Sequence, residues 1–314
     1  MKYETIPISI IYINKNMINQ RIDNFLFNKF KTVPKSMIYR IIRKGKIQIN
    51  QKKIKPNYKL QIRDILKIPS IKIICHSNKK IIPLNKEKIL MNSILYEDSD
   101  LLIINKPSGI AVHGGSGCSF GVIEYFRKFR PRDKYLELIH RIDRETSGIL
   151  MLAKTRQSLL SMHQQLRDKK IKKEYIALVH GLWPDNIKKI SEPILKIKFK
   201  NNQKKVLIHQ HGKPAITNVY IKKQFSNSTL LSIFPKTGRT HQIRAHTLHV
   251  GHPIFFDKRY GKSDLDMNIK NSINICRLLL HAYKIHFVHP KHGHNMFVTA
   301  PIDISFKNYL NNMI

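Results

Sequence analysis

Hydrophobic residues between positions 20 and 70 follow the spacing of two short helices and two strands. In the first helical segment they share one face, which is formed by Ile22, Phe25, Leu26 and Phe30. In the second segment Ser36 can cap the start and Gly45 can end the helix in the left-handed conformation, and the apolar face is formed by Met37, Ile38, Ile41 and Ile42. Alternation of apolar and polar residues then predicts strands at 46–50 and 60–68.

From about position 93 the pattern changes to short apolar stretches separated by amphipathic ones. The apolar stretches predict strands at 101–105, 136–139, 149–153, 175–179, 230–234 and 278–288. Helical spacing predicts helices at 120–129, 157–167 and 241–250, whereas residues 184–213 predict peripheral hairpins or loops. Several strands follow one another without a helix between them, which favours an α+β fold with a largely antiparallel sheet.

These patterns divide the 314 residues into two domains, as the length also suggests. We expect an N-terminal extension at 1–19, a small α/β domain at 20–80, a Lys- and Asn-rich linker at 81–92 and a larger α+β domain at 93–314.

Positive charge is in large excess, with 57 Lys and Arg against 20 Asp and Glu and a net charge of +37. Heavy use of Ile, Lys and Asn is typical of an A/T-rich genome, so part of this charge can arise by drift. Drift does not explain the clustering at 31–80, where 15 basic residues accompany the single acid Asp64. The outward positions of the second helix and its turn predict a phosphate-binding face made of Lys35, Arg40, Arg43, Lys44 and Lys46.

Several classes of protein are disfavoured. No apolar run approaches the length of a membrane helix, and the N-terminus has no secretory pattern, so we expect a cytoplasmic protein. Three widely spaced cysteines, without a Cys-x-x-Cys pair, predict neither disulfides nor a metal site. The glycine-rich run at 113–121 fits neither a P-loop nor a dinucleotide fingerprint, so no nucleotide cofactor is expected.

The densest polar segment is His-Arg-Ile-Asp-Arg-Glu-Thr-Ser-Gly at 140–148, between two predicted strands. In it Asp143 is flanked by Arg141 and Arg144, and cations at these positions would keep a carboxylate ionised as a nucleophile or base. An ion-paired structural turn is the alternative interpretation.

Two resemblances give these patterns a function. Residues 20–70, with Arg-Ile-Asp near the start and Gly-Lys-Ile-Gln-Ile-Asn after the second helix, resemble the S4 RNA-binding domain. The usual Gly-Asp before the last strand is Arg63-Asp64 here. The 140–148 segment resembles the catalytic motif of the RluA-type pseudouridine synthases. Three further motifs follow in the family's order, namely Lys-Glu-Tyr at 173–175, Lys-Thr-Gly-Arg-Thr-His-Gln-Ile-Arg at 236–244 and Leu-His-Ala at 280–282.

The resemblance implies a fold, a reaction and a set of site residues. It implies an RNA pseudouridine synthase that uses no cofactor, with Asp143 as catalytic nucleophile or base, Arg244 as its partner and Tyr175 beside the target base. Arg141, Arg144 and Arg239 would contact RNA. Further likeness in Asn-Lys-Pro-Ser-Gly at 105–109 and in neighbouring segments is with members that modify 23S rRNA.

We therefore expect 23S rRNA or a large-subunit precursor as the partner and a monomeric protein. A synthase that acts on tRNA is one alternative, although tRNA-directed relatives often lack an S4 domain. The other alternative is an S4-type rRNA-binding protein without catalysis, which the presence of Asp143, Tyr175 and Arg244 disfavours.

Overall fold

The computed structural model describes residues 2–15, 17–30, 33, 35–75, 84–114, 120–198, 204–261, 266 and 277–313. The chain forms two compact units, Met1–Ile81 and Ile82–Ile314. Their boundary lies next to the predicted end of the small domain at residue 80. Most of the glycine-rich run, residues 115–119, and residues 81–83 of the predicted linker lie outside the described part of the chain.

The first unit packs two helices against a small antiparallel sheet. The helices are α1 (Ile22–Lys29) and α2 (Lys35–Arg43). The strands are β1 (Lys2–Ile6), β2 (Ser9–Tyr12), β3 (Gln48–Ile49), β4 (Lys52–Lys53), β5 (Ile65–Ile68) and β6 (Ile71–Cys75). Strands β2, β5, β3 and β4 form one sheet in that order, and β1 pairs with β6 in a separate ladder. The apolar helix faces predicted from the sequence pack over this sheet.

The N-terminal extension predicted at 1–19 is wrong as a separate element. Within it, β1 pairs with β6 and β2 pairs with β5, so both strands belong to the first unit. The reason is that strand pairing is non-local: Ser9 lies opposite Ile68, and no local pattern around residue 9 indicates that partner. For the same reason β6 was not predicted, although it lies within the small domain expected at 20–80.

Arg63 adopts a left-handed backbone conformation, with φ of 70°. This is the position at which S4 domains usually carry glycine, which adopts positive φ without a steric penalty. The next residue, Asp64, is buried and accepts hydrogen bonds from the Asn50 amide, the Tyr58 hydroxyl and the Gln61 backbone. The turn before β5 therefore keeps the glycine-like conformation, with Asp64 holding the surrounding loops.

The second unit is built on a ten-stranded sheet. Its main path runs in the order β12, β15, β16, β11, β17, β10, β8 and β7, with β18 on β17 and β9 on β10. These strands are β7 (Ile94–Glu97), β8 (Leu101–Lys106), β9 (Glu137–Leu138), β10 (Ser147–Ala153), β11 (Lys172–His180), β12 (Lys189–Ile190), β15 (Thr217–Phe225), β16 (Ser228–Pro235), β17 (Leu280–Val288) and β18 (Asn295–Thr299). A separate hairpin is formed by β13 (Ile194–Lys198) and β14 (Lys204–Ile208).

Helices cover parts of this sheet. They are α3 (Leu84–Met91), α4 (Val122–Phe129), α5 (Arg156–Arg167), α6 (Gln242–His249) and α7 (Ile304–Asn311). Each described pair of strands in the sheet is antiparallel except β10 and β17, which run parallel. The prediction of an α+β fold with a largely antiparallel sheet is confirmed. In the described residues, no helix is both long and apolar enough to cross a membrane.

Strand β10 is central, and all seven of its residues are buried. It joins β8 on one side and β17 on the other. At its start Gly148 has φ of 104°, and an added Cβ would lie 2.2 Å from the carbonyl oxygen of Ala282. Only glycine fits this close approach of two strands, which fixes where the segment 140–146 enters the sheet.

The predicted linker at 81–92 is wrong for residues 84–91, which form a helix. Residues Leu84–Met91 form α3, and Leu90 is buried in the core beside α4. This stretch is rich in Lys and Asn, so the few apolar residues with which a short helix packs form no recognisable pattern. The stretch at 184–213 contains β12 and the β13–β14 hairpin, as its pattern predicts.

Candidate active site

Asp143 lies in the loop that leads into β10. Backbone contacts hold this loop: the Thr146 amide donates to the Asp143 carbonyl at 3.2 Å, and the Gly109 amide donates to the Arg144 carbonyl at 2.9 Å. The Asp143 side chain is partly buried and faces a small cavity of about 120 Å³. Other residues that line the cavity include Thr146, Lys173, Tyr175, Thr240, His241, Arg244 and Leu280.

Arg244 on α6 is the cation nearest to this carboxylate. Its Nη1 donates to Asp143 Oδ2 at 3.3 Å. Its Nε and Nη2 donate to the two carboxylate oxygens of Asp257, both at 2.7 Å. The guanidinium also lies 5.0 Å from the Tyr260 ring centre. Asp257 and the Tyr260 ring therefore fix the plane of Arg244, which leaves one nitrogen directed at Asp143.

Asp257 is ionised in spite of its burial. Burial opposes the charge, but hydrogen bonds and charge from Arg244 outweigh that effect and hold the pKa of Asp257 below its ordinary value. Its Oδ1 also accepts the backbone amides of Arg259 and Tyr260. A fully buried carboxylate with these partners is a structural anchor, whereas Asp143 faces the cavity.

His241 is the residue before α6 and has φ of 50°. Its Nδ1 is 2.8 Å from the Tyr260 hydroxyl, and its Nε2 is 3.9 Å from Asp143 Oδ2. Burial lowers the pKa of His241 to about 4, although the Asp143 charge acts in the opposite direction. The imidazole is therefore neutral at pH 7 and lies next to Asp143 without adding a positive charge.

Tyr175 lies on β11, next to a register shift in its pairing with β17. The irregularity falls between Glu174 and Tyr175, at the level of the cavity. Burial raises the pKa of the Tyr175 phenol well above its ordinary value, and the nearby Asp143 charge adds to this. The phenol keeps its proton at neutral pH, so it can donate a hydrogen bond or a proton but cannot serve as a base.

Arg141 and Arg144 do not hold Asp143 in the way the sequence predicted. Both are exposed, and Arg144 donates to the Gly109 carbonyl and lies 3.5 Å from Glu145. In the described residues the ion pair of Asp143 is with Arg244 instead, and the neutral His241 ring lies 3.9 Å away. The prediction from charge spacing failed because side chains on neighbouring loop residues point in different directions. Arg141 lines the mouth of the cavity and Arg239 lies on the loop before α6.

Lys106, which the sequence analysis did not identify, supports the loop that carries Asp143. It is completely buried, and its Nζ donates to the carbonyls of Pro107, Ile110 and Arg144 at 2.7, 2.9 and 3.1 Å. Burial lowers the pKa of Lys106 to about 7. A strand-end lysine is normally solvated, so its sequence gives no indication of this role. Asp257 was missed because it lies outside any periodic segment.

A second network holds the start of β10. Arg277 Nη1 donates to Ser147 Oγ at 2.8 Å, and Ser147 lies 2.8 Å from His281 Nδ1. The other ring nitrogen of His281 is 3.1 Å from the Ala300 carbonyl. Since that carbonyl can only accept, His281 Nε2 carries the proton and Nδ1 accepts from Ser147. The loop is thus fixed on both sides of Asp143.

The predicted RNA-binding side chains of the first unit all lie at its surface. Lys35 and Arg40 are exposed on α2, where the Lys35 ammonium lies 5.1 Å from the Phe27 ring centre. Arg43 at the end of α2 is exposed, as are Lys44 and Lys46 in the turn that follows. The opposite face of α2, with Ile38, Ile41 and Ile42, is buried. One face of α2 therefore packs in the core, and the opposite face carries the positive charge.

No metal centre is evident in the residues that the structure describes. None of their His, Cys, Asp and Glu side chains form a group of three or more that could hold an ion. His241, His246 and His252 instead contact a tyrosine hydroxyl, a threonine hydroxyl and a backbone carbonyl, respectively.

Known proteins resemble this chain over its whole length. The sequence profile of the RNA pseudouridylate synthase family matches residues 100–249, and that of the S4 domain matches residues 20–66. The ribosomal large subunit pseudouridine synthase C of Buchnera aphidicola subsp. Acyrthosiphon pisum is 70% identical over 314 residues, which is 100% of both chains. The protein of the same name from Escherichia coli K12 is 46% identical over 99% of this chain and 98% of its own.

Solved structures share the fold. Human RNA pseudouridylate synthase domain containing 4 has a TM-score of 0.58 at 23% identity, over 72% of this chain and 95% of its own. Human RNA pseudouridylate synthase domain containing 1 has a TM-score of 0.55 at 24% identity, over 67% and 83%. Each likeness supports the fold alone.

Proposed function

The chain belongs to the RNA pseudouridylate synthase family, and from that premise we propose that it converts specific uridines of 23S rRNA to pseudouridine with Asp143 as its catalytic carboxylate. The observation that carries the role of Asp143 is its position in the cavity, 3.3 Å from a guanidinium that Asp257 orients. The relatives that match along the full chain are named for the ribosomal large subunit, which supports rRNA as the substrate.

The reaction is an isomerisation within the RNA. The bond between uracil N1 and ribose C1′ breaks, the detached base turns within the site, and a bond forms between C5 and C1′. The proton on C5 is lost and N1 gains one, so atoms and electrons balance. No electrons enter or leave, and the chemistry requires no redox cofactor.

Each cavity residue has a part in this reaction. Asp143 acts as nucleophile or base, and the Arg244 guanidinium orients it through their 3.3 Å contact. Tyr175 borders the base and, because its phenol stays protonated, can donate to the uracil as it detaches. His241 lies beside Asp143 and, because its imidazole is neutral, it adds no second positive charge at the carboxylate.

The target base must leave its stack to enter a cavity this small. Flipping costs a few kcal/mol, which contacts to phosphates elsewhere can offset. The exposed cations on and after α2 supply such contacts in the first unit. Recognition of RNA shape and unpaired loops is expected, because side chains cannot reach base edges in the deep groove of an RNA helix.

A tritium-release assay tests the catalytic assignment. The full-length protein is incubated with 23S rRNA that carries tritium at uracil C5, and release to water is followed. We expect release with the wild type and with Asp185→Asn, which changes an exposed aspartate, and none with Asp143→Asn. Equal release by Asp143→Asn would refute the role of Asp143.

The substrate is tested separately. Carbodiimide-dependent primer extension maps pseudouridine in 23S rRNA and in tRNA after treatment with the protein. We expect stops in 23S rRNA only; stops in tRNA alone would favour a tRNA synthase, and binding without any stop would favour a non-catalytic S4-type protein. We further propose that the protein acts as a monomer in the cytoplasm, a location that relatives named for the ribosomal large subunit support.

A further inference from the structure

A second, larger depression lies beside the cavity in the catalytic unit. We call it the lateral groove and define it by Arg167, Lys172, Asn218, Tyr220, Phe234 and Lys236. It has a volume of about 680 Å³, within the usual range of about 300–1,000 Å³ for small-ligand sites. The proposed reaction does not account for it, although Lys236 belongs to the 236–244 motif.

The lateral groove continues from the active-site cavity. Arg141, Lys173, Pro235 and residues 237–239 line both depressions. A bound polymer with one unit in the cavity would therefore place its adjacent unit in the groove, across the shared wall. An RNA strand is a polymer of the required kind, since its flipped uridine is joined by phosphates to the next nucleotide.

An aromatic surface forms one wall of the groove. Tyr220 on β15 is 50% exposed, and its ring meets the Phe234 ring edge-to-face at 5.7 Å between centres. Asn218 lies directly opposite Phe234 in the β15–β16 pairing, and in the described residues its side-chain amide makes no hydrogen bond. An exposed ring stacks on an unpaired base, and an available amide can donate to and accept from a base edge.

Positive charge surrounds this wall. Arg167, Lys169, Lys172 and Lys236 are exposed around the groove, and Arg141 and Arg239 lie toward the cavity. Among the described residues that line it, none is an Asp or a Glu. Aromatic rings among cations without carboxylates suit a base with its phosphate, whereas an ordinary peptide would leave these cations without partners.

We propose that the lateral groove binds a second unpaired nucleotide of the same RNA strand, adjacent to the target uridine, with its base on Tyr220 and its phosphate among the surrounding cations. The proposal rests on the proposed function and extends it to substrate selection. A neighbouring nucleotide that stays unstacked in the groove would stabilise the locally opened RNA around the flipped uridine. Uridines whose neighbours can leave their stack would then be preferred.

Tyr220→Ala removes the ring. The matched control is Phe297→Ala, which removes an aromatic side chain that is 76% exposed and lies outside both depressions. RNA affinity and tritium release are measured on a 23S rRNA fragment that contains a uridine modified by the wild type. Base stacking predicts a loss of about 5- to 150-fold in affinity for Tyr220→Ala but not for Phe297→Ala. Tyr220→Phe keeps the ring and should restore most of the binding.

A second arm uses the RNA itself. Each nucleotide flanking the target is replaced in turn by an abasic residue. At one position the abasic RNA should bind the wild type as weakly as intact RNA binds Tyr220→Ala, and combining both changes should cause no further loss. Should Tyr220→Ala fail to fold, as judged by its thermal transition, Lys236→Gln is used and should weaken binding and lower its salt dependence.

Two failures are distinguishable. If the wild type releases no tritium from any RNA, the proposed function fails. If the wild type is active but Tyr220→Ala matches Phe297→Ala in affinity and turnover, or if no abasic position abolishes the effect of Tyr220→Ala, the groove does not bind a neighbouring nucleotide. Undiminished RNA binding by Tyr220→Ala, together with loss of binding to an acidic peptide, would assign the groove to a protein partner and overturn the inference.

Discussion

Arg244 and Asp257 form a buried two-point ion pair, with both nitrogen–oxygen distances at 2.7 Å, while the contact from Arg244 to Asp143 is longer at 3.3 Å. The arginine is thus held more tightly by the buried carboxylate of Asp257 than by the carboxylate that faces the cavity. Asp143 can move toward the substrate without losing the cation, because Asp257 keeps the guanidinium in place.

Asp257→Asn should impair both stability and turnover. It breaks a buried pair, which costs about 3–5 kcal/mol of unfolding free energy, and it frees Arg244 to rotate. Misplacement of a catalytic group by about 1 Å can cost roughly 10²-fold in rate. Urea unfolding and tritium release measure the two effects, the latter at a temperature where the variant is folded. Wild-type turnover by a folded Asp257→Asn would contradict the positioning role of Asp257.

Tyr175→Phe should lower kcat and leave KM nearly unchanged. The ring that borders the base remains, but the phenolic proton is lost, and such proton transfers contribute about 10²- to 10⁴-fold. Steady-state tritium release gives both constants, and Tyr283→Phe on β17, outside the cavity, serves as the control. An unchanged kcat would limit Tyr175 to packing against the base.

Acid should destabilise the protein partly through His281. Burial lowers the pKa of His281 to about 4, whereas an unfolded histidine has a pKa of about 6.5. The unfolded state therefore binds the proton first, so this contribution is complete above pH 6.5 and is lost as pH falls toward 4. The full loss is roughly 3 kcal/mol. Urea unfolding at pH 7.5 and pH 5 should show a smaller pH effect for His281→Gln than for wild type or for the exposed His249→Gln; equal pH effects would contradict the assignment.

Gly148→Ala should prevent folding of the second unit. The added Cβ would lie 2.2 Å from the Ala282 carbonyl oxygen, so β10 and β17 could not pair. Gly251 also has positive φ, but a Cβ added there would have no atom within 4 Å, so Gly251→Ala should cost only about 1–2 kcal/mol. Soluble yield and circular dichroism compare the two variants. A folded Gly148→Ala would show that the strands can separate.

Neutralising the α2 face should reduce the salt dependence of RNA binding. Replacing Arg40, Arg43 and Lys44 by Gln removes up to three phosphate contacts, and each contact contributes about 0.7–0.9 to the slope of log affinity against log salt. Filter binding to 23S rRNA over a salt range measures the slope. The control replaces three exposed lysines of the second unit, namely Lys134, Lys188 and Lys307. A slope equal to that of the control would separate α2 from RNA binding.

The sequence was most informative where one segment carries its own pattern. The amphipathic faces of α1, α2 and α5 and the apolar run of β10 all occur where periodicity predicts them. Ordered motifs likewise identified Asp143, Tyr175 and Arg244, which the structure brings to one cavity.

Partners that are distant in sequence were not predictable in this way. The pairing of Ser9 with Ile68 and the packing of Leu90 depend on surfaces formed elsewhere in the chain. Asp257 and Lys106 look like ordinary surface residues until their neighbours are known. The spacing of charges within 140–148 also suggested that the adjacent arginines hold Asp143, whereas the cation comes from Arg244, the partner that the resemblance implied.

The distance along the chain between Asp143 and Arg244, 101 residues, has a consequence for synthesis on the ribosome. When Asp143 leaves the exit tunnel, its guanidinium partner has not yet been translated. Strand β17, which joins β10 to β11, follows later still. A nascent chain consequently carries the whole first unit and Asp143 long before the cavity around Asp143 can form. The protein can touch RNA early in its own synthesis, but it gains the capacity to change RNA only near the end of translation.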